Sequence, residues 1–372
     1  MNHRHKKRSI LGYVFFCFLF LFILVGCKAV DKPEEADEPV ETGLQTMDIP
    51  VEDFRQVVGW LNKEEILVHI SHDQKEQLVR FNLFTGDMRT VYESESYFLY
   101  VGLSPNKRQI LLQLTEGEKA KALVLSIQGD LVQERELATQ GYVSADWNPD
   151  DANLILLSYY YFEEGEEEEV IVENWNLEEN TAEMISSPTL ELKWYSSNLF
   201  LYVDHGEDVS LNEGALFIGD IRTNEKWRIN NDVSDFYLYE DTFIGFTPSD
   251  FEDDKLLMTH EYPFMVEQGF MTIPKASMND RLVFPTISQG KRNGKIYGVI
   301  PSESVKLEEE TGSYELVYID FESQSITPII EVPDLAPLAV SEDELYSLFG
   351  WQFEYVIDLE KNTLHYLLKE VS

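Results

Sequence analysis

From residue 51 onward, apolar segments of five to eight residues rich in Val, Ile, Leu, Tyr and Phe alternate with short polar breaks. Glu65 to Ser71, Gln77 to Leu83, Gln109 to Leu114, Leu154 to Tyr159, Leu199 to Val203, Tyr314 to Asp320 and Phe353 to Asp358 all have this form. Segments of that length bounded by Gly, Pro, Asn and Asp are strand signals, and no long run carries the 3.6-residue period of a helix. The pattern predicts an all-β fold. Aromatic residues, 13% of the chain, suit pleated packing.

The strands repeat in order. One unit is a strand ending in Asn or Asp, a large apolar residue, two polar residues and then Gly, Asn or Gln, after which a second strand begins. It occurs at Asn82-Leu-Phe-Thr-Gly86, Asn176-Leu-Glu-Glu-Asn180, Asp220-Ile-Arg-Thr-Asn224, Asp320-Phe-Glu-Ser-Gln324 and Asp358-Leu-Glu-Lys-Asn362, with a shortened copy at Ser126-Ile-Gln-Gly129. This is tight-hairpin chemistry: the last residue tolerates positive φ and the first can bond the turn backbone. A second unit precedes the first four hairpins: Trp60-Leu-Asn-Lys63, Leu103-Ser-Pro-Asn106, Trp147-Asn-Pro-Asp150 and Trp194-Tyr-Ser-Ser197, spaced 43, 44 and 47 residues.

A period of 40 to 50 residues carrying four short strands is the signature of a β-propeller, where each blade needs neighbours to cover its faces. An immunoglobulin-like sandwich predicts no such repeat. The hairpins are spaced 44, 50, 44, 100 and 38 residues, so the interval from Asp220 to Asp320 holds an insertion or a degenerate blade. Six blades are expected, and seven stays open. The Leu-Ser-Pro-Asn and Trp-Asn-Pro-Asp turns resemble those after the innermost strand of TolB-type propellers.

Ahead of the repeats, Arg4, Lys6, Lys7 and Arg8 precede an apolar stretch from Ile10 to Gly26, the anatomy of an export signal. That stretch is at the lower limit for crossing a bilayer, and no second apolar segment follows. Leu24-Val25-Gly26-Cys27 resembles the lipobox of bacterial lipoproteins. The resemblance implies removal of residues 1–26 and diacylglycerylation of Cys27. Residues 27–50 are acidic and carry Pro33 and Pro39 without apolar periodicity, and they are expected to form a disordered tether ahead of a propeller at 51–372. Taken together, lipobox and repeats resemble the YqgU-like lipoproteins of Bacillus and its relatives. That likeness implies a six-bladed propeller on the extracytoplasmic face of the cell membrane, and it brings no catalytic residue with it.

Cysteine and charge narrow the chemistry. Cys17 lies in the segment expected to be removed and Cys27 carries the lipid, so no thiol is left for a disulfide, a zinc site or a nucleophile. The chain has 29 basic and 68 acidic residues; without the four basic residues of the signal, 25 face 68, a formal charge of −43. Such a field repels nucleic acid, whose binding needs Lys and Arg to replace counterions. The runs Glu163 to Glu169, Asp250 to Asp254 and Glu308 to Glu310 lack EF-hand spacing and read as solvated loops.

Individual residues invite chemical readings that their spacing does not support. His69, Ser71, His72 and Asp73 are close in sequence, but a strand position and a position beyond its end need not converge, and the helical His-Glu-x-x-His spacing is absent. His205, His260 and His365 are isolated. Asp146, Asn148 and Asp150 come from one turn, whereas a Ca²⁺ site in a propeller draws ligands from several blades. Trp60, Trp147 and Trp194 hold one place in their repeats, which favours packing between blades over a ligand platform. Tyr159, Tyr160 and Tyr161, successive on a strand, place at least one ring outward as a candidate contact surface.

The expected function is therefore a lipid-anchored, non-enzymatic binding or scaffold module for a protein or cell-envelope ligand. No metal, cofactor or catalytic residue is assigned. The alternative is a Ca²⁺-dependent hydrolase or lactonase-like propeller.

Overall fold

The computed structural model describes residues 43–369, apart from 118, 140, 163–168, 241, 262–264 and 310–311. The signal segment, Cys27 and most of the acidic tether lie outside the described residues.

Among the described residues, seven four-stranded sheets follow one another along the chain. They span Phe54–Ser94, Tyr97–Leu137, Val143–Ile185, Lys193–Asn230, Asp235–Pro274, Thr286–Val332 and Leu338–Tyr366, called blades 1 to 7 here. Within each blade the strands pair antiparallel with their sequence neighbours, as Phe54–Trp60, Glu65–His72, Lys75–Asn82 and Met88–Ser94 do in blade 1. First strands of successive blades touch one another, in blades 1 and 2, 3 and 4, and 6 and 7, so they line the centre. Fourth strands such as Thr181–Ile185 are mostly exposed and form the rim. A three-stranded ribbon of Arg281–Val283, Ala276–Met278 and Val305–Lys306 sits beside blade 6.

Seven apolar clusters fill the seams between these blades. Leu67 and Leu78 of blade 1 meet Ile110 and Leu112 of blade 2; Leu111 and Val124 of blade 2 meet Ile155 and Trp175 of blade 3; Leu156 and Val172 meet Phe200 and Tyr202. Leu201 and Leu216 meet Phe243, Ile244 and Met258 meet Ile296 and Val317, and Val299 and Leu316 meet Phe349 and Ile357. The seventh cluster joins Leu348 and Val356 of blade 7 to Val68 and Val79 of blade 1. An open row of seven sheets would have six seams; the seventh closes the ring.

The propeller expected from the repeats is thus present; six blades were expected with seven left open, and the described residues show seven four-stranded sheets. Each hairpin repeat joins the third and fourth strands of one blade, and the final residue of all six copies has positive φ: Gly86, Gly129, Asn180, Asn224, Gln324 and Asn362. The leading side chain caps the turn, Asn82 Oδ1 accepting from the Phe84 and Thr85 amides at 2.9 and 3.0 Å, and Asp358 Oδ1 from Glu360 and Lys361 at 3.1 and 2.9 Å. Blade 5 is the unit without a copy. Its third and fourth strands, Lys255–Glu261 and Glu267–Pro274, are joined through a sequence with neither the leading Asn or Asp nor the closing Gly or Asn, which is why hairpin counting reaches only six.

The tether boundary read at residue 50 moves to residue 43. Met47 is fully buried in the closing seam, with Leu44 and Ile49 packed beside it. Its amide donates to the Leu367 carbonyl at 2.7 Å, and it pairs in parallel with Leu368. The preceding amide, Gln45, donates to the Leu83 carbonyl at 2.7 Å in the hairpin of blade 1, so the chain enters on the hairpin side. Three apolar residues spaced through an acidic segment were too sparse a signal to separate from the tether.

Trp60, Trp147 and Trp194 are 4%, 6% and 4% exposed, and each ends the first strand of its blade inside a seam. Trp60 Nε1 donates to the Ala339 carbonyl of blade 7 at 2.7 Å, and Trp194 Nε1 to the Asp146 carbonyl of blade 3 at 3.2 Å. Packing between blades is their role. Trp147→Ala is expected to cost about 3–5 kcal/mol, as for other fully buried aromatics. Thermal unfolding checks this, and a melting temperature unchanged from the parent protein would contradict it.

Candidate functional site

Antiparallel meanders put all connections of one kind on one side of the ring. The first-to-second and third-to-fourth strand turns make a hairpin face of short, repeated turns. The second-to-third connections and the links between blades make a loop face, with segments as long as 205–214 in blade 4 and 275–285 between blades 5 and 6. Exposed aromatic side chains divide unevenly between them. Of eight among the described residues, Trp227 and Phe270 are on fourth strands, and Tyr97, Tyr142, Tyr160, Phe162, Phe251 and Trp351 are on the loop face. Phe251 is 96% exposed. Exposed rings gathered on one side of a soluble scaffold mark an interaction surface more often than chance placement does.

Between blades 3, 4 and 5 this face opens into a cleft of about 390 Å³ lined by Tyr160, Glu191, Lys193, His205, Asp235 and Arg281. Blade 3 supplies Tyr160 from the end of its second strand, the link into blade 4 supplies Glu191, and the first strands of blades 4 and 5 begin with Lys193 and Asp235. Lys193 Nζ stands 3.3 Å from Asp146 Oδ1 across the blade 3–4 seam. The other oxygen of Asp146 accepts the Trp194 amide at 2.7 Å, which fixes the carboxylate. Asp146 raises the Lys193 pKa, and the ammonium is retained throughout the neutral range.

Asp235 is the unusual acid. Burial is the main reason its pKa is pushed up to about 7; the negative charge of Glu191 adds to the rise, while the Phe236 amide and Lys193 oppose it. Asp235 Oδ1 accepts that amide at 2.7 Å. The cleft therefore combines an ammonium, a guanidinium and an acid able to give or take a proton near neutrality, beside the exposed ring of Tyr160. It can orient a polar group of a ligand whose bulk rests on the aromatic loops.

Several residues singled out from the sequence have other duties. Tyr159 is buried, with burial pushing its pKa up to about 12, and only Tyr160 of the three tyrosines reaches the cleft as an exposed ring. His69 is buried and bonds Glu76 through Nε2 to Oε2 at 2.6 Å; burial lowers its pKa against the pull of Glu76. Ser71 Oγ donates to the other oxygen of Glu76 at 2.9 Å. His72 turns outward and meets Asp53 at 2.6 Å, a bond that raises its pKa. His69 and His72 do not converge. Asn148 is buried and caps its own turn, accepting from the Asp150 and Asp151 amides at 2.9 and 3.0 Å, while Asp150 accepts from Ser197 Oγ at 2.6 Å. No three His, Cys, Asp or Glu side chains among the described residues are grouped to hold a metal ion.

The run at 163–169 lies outside the described residues except Glu169, as does Glu310 of the third run; Asp250 to Asp254 form an exposed part of the loop face. Glu191, Lys193, Asp235 and Arg281 were not legible as a site. They are single charged residues spread over 90 positions, and only ring geometry brings them together.

Comparison with known proteins likewise gives a β-propeller, of a family described as six-bladed where the described residues here form seven four-stranded sheets. The profile of the YqgU-like 6-bladed beta propeller domain matches residues 82–350. That stretch holds blades 2 to 6 whole, with the fourth strand of blade 1 and the first two of blade 7. An uncharacterised lipoprotein, YqgU of Bacillus subtilis (strain 168), is 21% identical over 368 residues, covering 95% of this chain and 96% of its own. A 1.18 Å crystal structure of the uncharacterised protein lmo1340 from Listeria monocytogenes EGD-e superposes with a TM-score of 0.79 at 22% identity, over 88% of this chain and 99% of that one. The acylaminoacyl peptidase of Pyrococcus horikoshii matches 88% of this chain with 54% of its own, at a TM-score of 0.54 and 13% identity, a likeness of fold alone.

Because Asp235 keeps its proton to about pH 7 in the fold and releases it near pH 4 when unfolded, its contribution to stability falls as pH rises through that window. Asp235→Asn is therefore expected to raise the melting temperature at pH 8 and leave it nearly unchanged at pH 4. Equal shifts at the two pH values would refute the assignment.

Proposed function

This chain belongs to the YqgU-like 6-bladed β-propeller family, and on that premise we propose that it is a lipid-anchored, extracytoplasmic binding module whose loop face captures a protein or cell-envelope ligand. The observation that carries the reading is the segregation of exposed aromatic rings to the loop face, the face on which the Lys193–Asp235 cleft opens with Tyr160 in its wall. Aromatic anchors contribute most where they surround a polar feature that sets register. The formal charge of −39 favours ligands that are neutral or cationic at their contact surface.

The anchor itself rests on Leu24-Val25-Gly26-Cys27 and on the likeness to a lipoprotein over nearly the whole chain. Two acyl chains on Cys27 would hold the protein durably, since each buried CH₂ contributes about 0.8 kcal/mol. No helix among the described residues is long and apolar enough to cross a membrane. Cys27→Ala is expected to abolish labelling by a fatty-acid probe and to leave the signal uncleaved. Labelling that persists in this variant would remove Cys27 from the anchor.

A photo-crosslinking amino acid placed at Tyr142 or Tyr160 of the full chain tests the capture face. The expected result is a discrete adduct with one envelope component from each position, and none when the same group replaces Trp227 on the rim. Adducts of equal yield from all three positions, or from Trp227 alone, would overturn the reading.

A further inference from the structure

The loop-face cleft between blades 3, 4 and 5 has an apolar floor as well as charged walls. Val203 and Phe236 lie on the seam between blades 4 and 5, and Leu211 and Phe284 on the seam between blades 5 and 6. All four line the cleft and are only half-buried, so the loop-side ends of two seams remain open within it as apolar surface. That surface is held in place. The Phe236 ring stacks on Phe243 at 5.3 Å, and the segment carrying Leu211 is braced by Asp208, whose two carboxylate oxygens accept the Ser210 and Glu213 amides at 2.9 and 2.8 Å. The Leu282 amide, next to Arg281, donates to the Ser210 carbonyl at 2.9 Å and ties the far wall to this segment.

The charges of the cleft fall at two ends. Towards the ring axis stand Glu191, Lys193 and Asp235, at or just ahead of the first strands of blades 4 and 5. Lys193 is already paired with Asp146, so neither Glu191 nor Asp235 has a cation bonded to it. Asp235 takes the Phe236 amide on one oxygen; its other oxygen and the Glu191 carboxylate make no hydrogen bond or ion pair among the described residues. At the other end stands Arg281, on the ribbon beside blade 6, which makes no ion pair among the described residues either. Asp235 feels the charges of Glu191 and Lys193 but not that of Arg281, which sets the guanidinium apart from the acids. His205, also in the wall, spends its Nδ1 proton on the Glu213 carbonyl at 2.8 Å.

We propose that this cleft holds a short peptide with free ends, its ammonium at Asp235 and Glu191, its carboxylate at Arg281 and its apolar side chains on the floor between them. The proposal rests on the reading of the loop face as the capture face. A carboxylate alone would leave the two acids without a cation, and an amine alone would leave Arg281 without an anion. A zwitterionic lipid headgroup carries both charges on one side of its apolar chains, whereas here apolar surface runs between the charged ends: Phe236 follows Asp235, and Phe284 lies three residues past Arg281. A volume of about 390 Å³ is in the range of small-ligand sites and admits a few residues, not a folded domain. A ligand ammonium beside Asp235 also favours its carboxylate form.

The experiment is isothermal titration of the full-length protein in detergent at pH 7.5 with the tripeptide Leu-Ala-Leu, its N-acetyl form and its C-terminal amide, repeated with Arg281→Gln and Asp235→Asn. The expected result is saturable binding of the free tripeptide, about tenfold weaker for either capped form, as for the loss of one charge-assisted hydrogen bond. Arg281→Gln is expected to weaken the free and acetylated peptides about tenfold and leave the amide unchanged; Asp235→Asn is expected to weaken the free peptide and the amide and leave the acetylated form unchanged. Absence of binding by the free tripeptide, or equal binding of all three forms, would overturn the proposal. So would equal losses for all three forms in a variant that keeps the parent fold by circular dichroism. Photo-crosslinking at Tyr142, outside the cleft, separates the two readings: adducts there without tripeptide binding would overturn the peptide assignment and leave the capture face standing.

Discussion

A four-stranded sheet has two faces, and in this protein both are apolar. Val79 and Leu78, neighbours on one strand of blade 1, point to opposite seams, one toward blade 7 and the other toward blade 2. Ile244 and Phe243 do the same in blade 5. No single blade can cover both faces, and a row of blades still leaves two uncovered at its ends. The seam between blades 7 and 1 removes those ends, and everything else in the structure depends on it. Met47 and Leu368, from opposite ends of the domain, are buried together in it. With a stability margin of about 5–15 kcal/mol in an ordinary domain, exposing a cluster of that size would not be tolerated.

The demand for covered seams explains the division of labour between the two faces. Hairpin turns must bring consecutive strands back at close spacing in every blade, so they use one solution repeatedly: a capping Asn, Asp or Ser, a large apolar residue and a residue with positive φ. The apolar residue's amide then reaches back to the start of the second strand, as Leu83 does to Glu64 and Leu177 to Asn153, at 2.9 and 2.8 Å. These turns are structural. Segments on the loop face carry no such obligation, and there the lengths diverge and the exposed rings gather.

This division also sets what could be read from the residues. The strand pattern, the period and the hairpins were legible because each repeats a local physical requirement, and the seam role of Trp60, Trp147 and Trp194 followed from their common phase. The blade count was not settled, because blade 5 performs the same packing with Phe243, Ile244 and Met258 yet lacks the local turn signal. Packing into a seam needs only alternating apolar residues, which blade 5 keeps; a capped turn needs particular residues, which it has lost. The cleft was out of reach for a different reason. Lys193 is indistinguishable from any exposed lysine until Asp146, on the adjacent blade, is placed 3.3 Å away.

Charge explains why the binding features are shaped as they are. In a chain with 68 acidic and 29 basic residues, an unshielded surface repels anions at long range, but that repulsion is screened within about 8–10 Å at physiological salt. Inside that distance local groups decide. Lys193 is paired with Asp146 at 3.3 Å, which fixes the ammonium in the wall of the cleft. Lys295 leans instead on the Tyr318 ring, whose quadrupole steadies an ammonium without neutralising it.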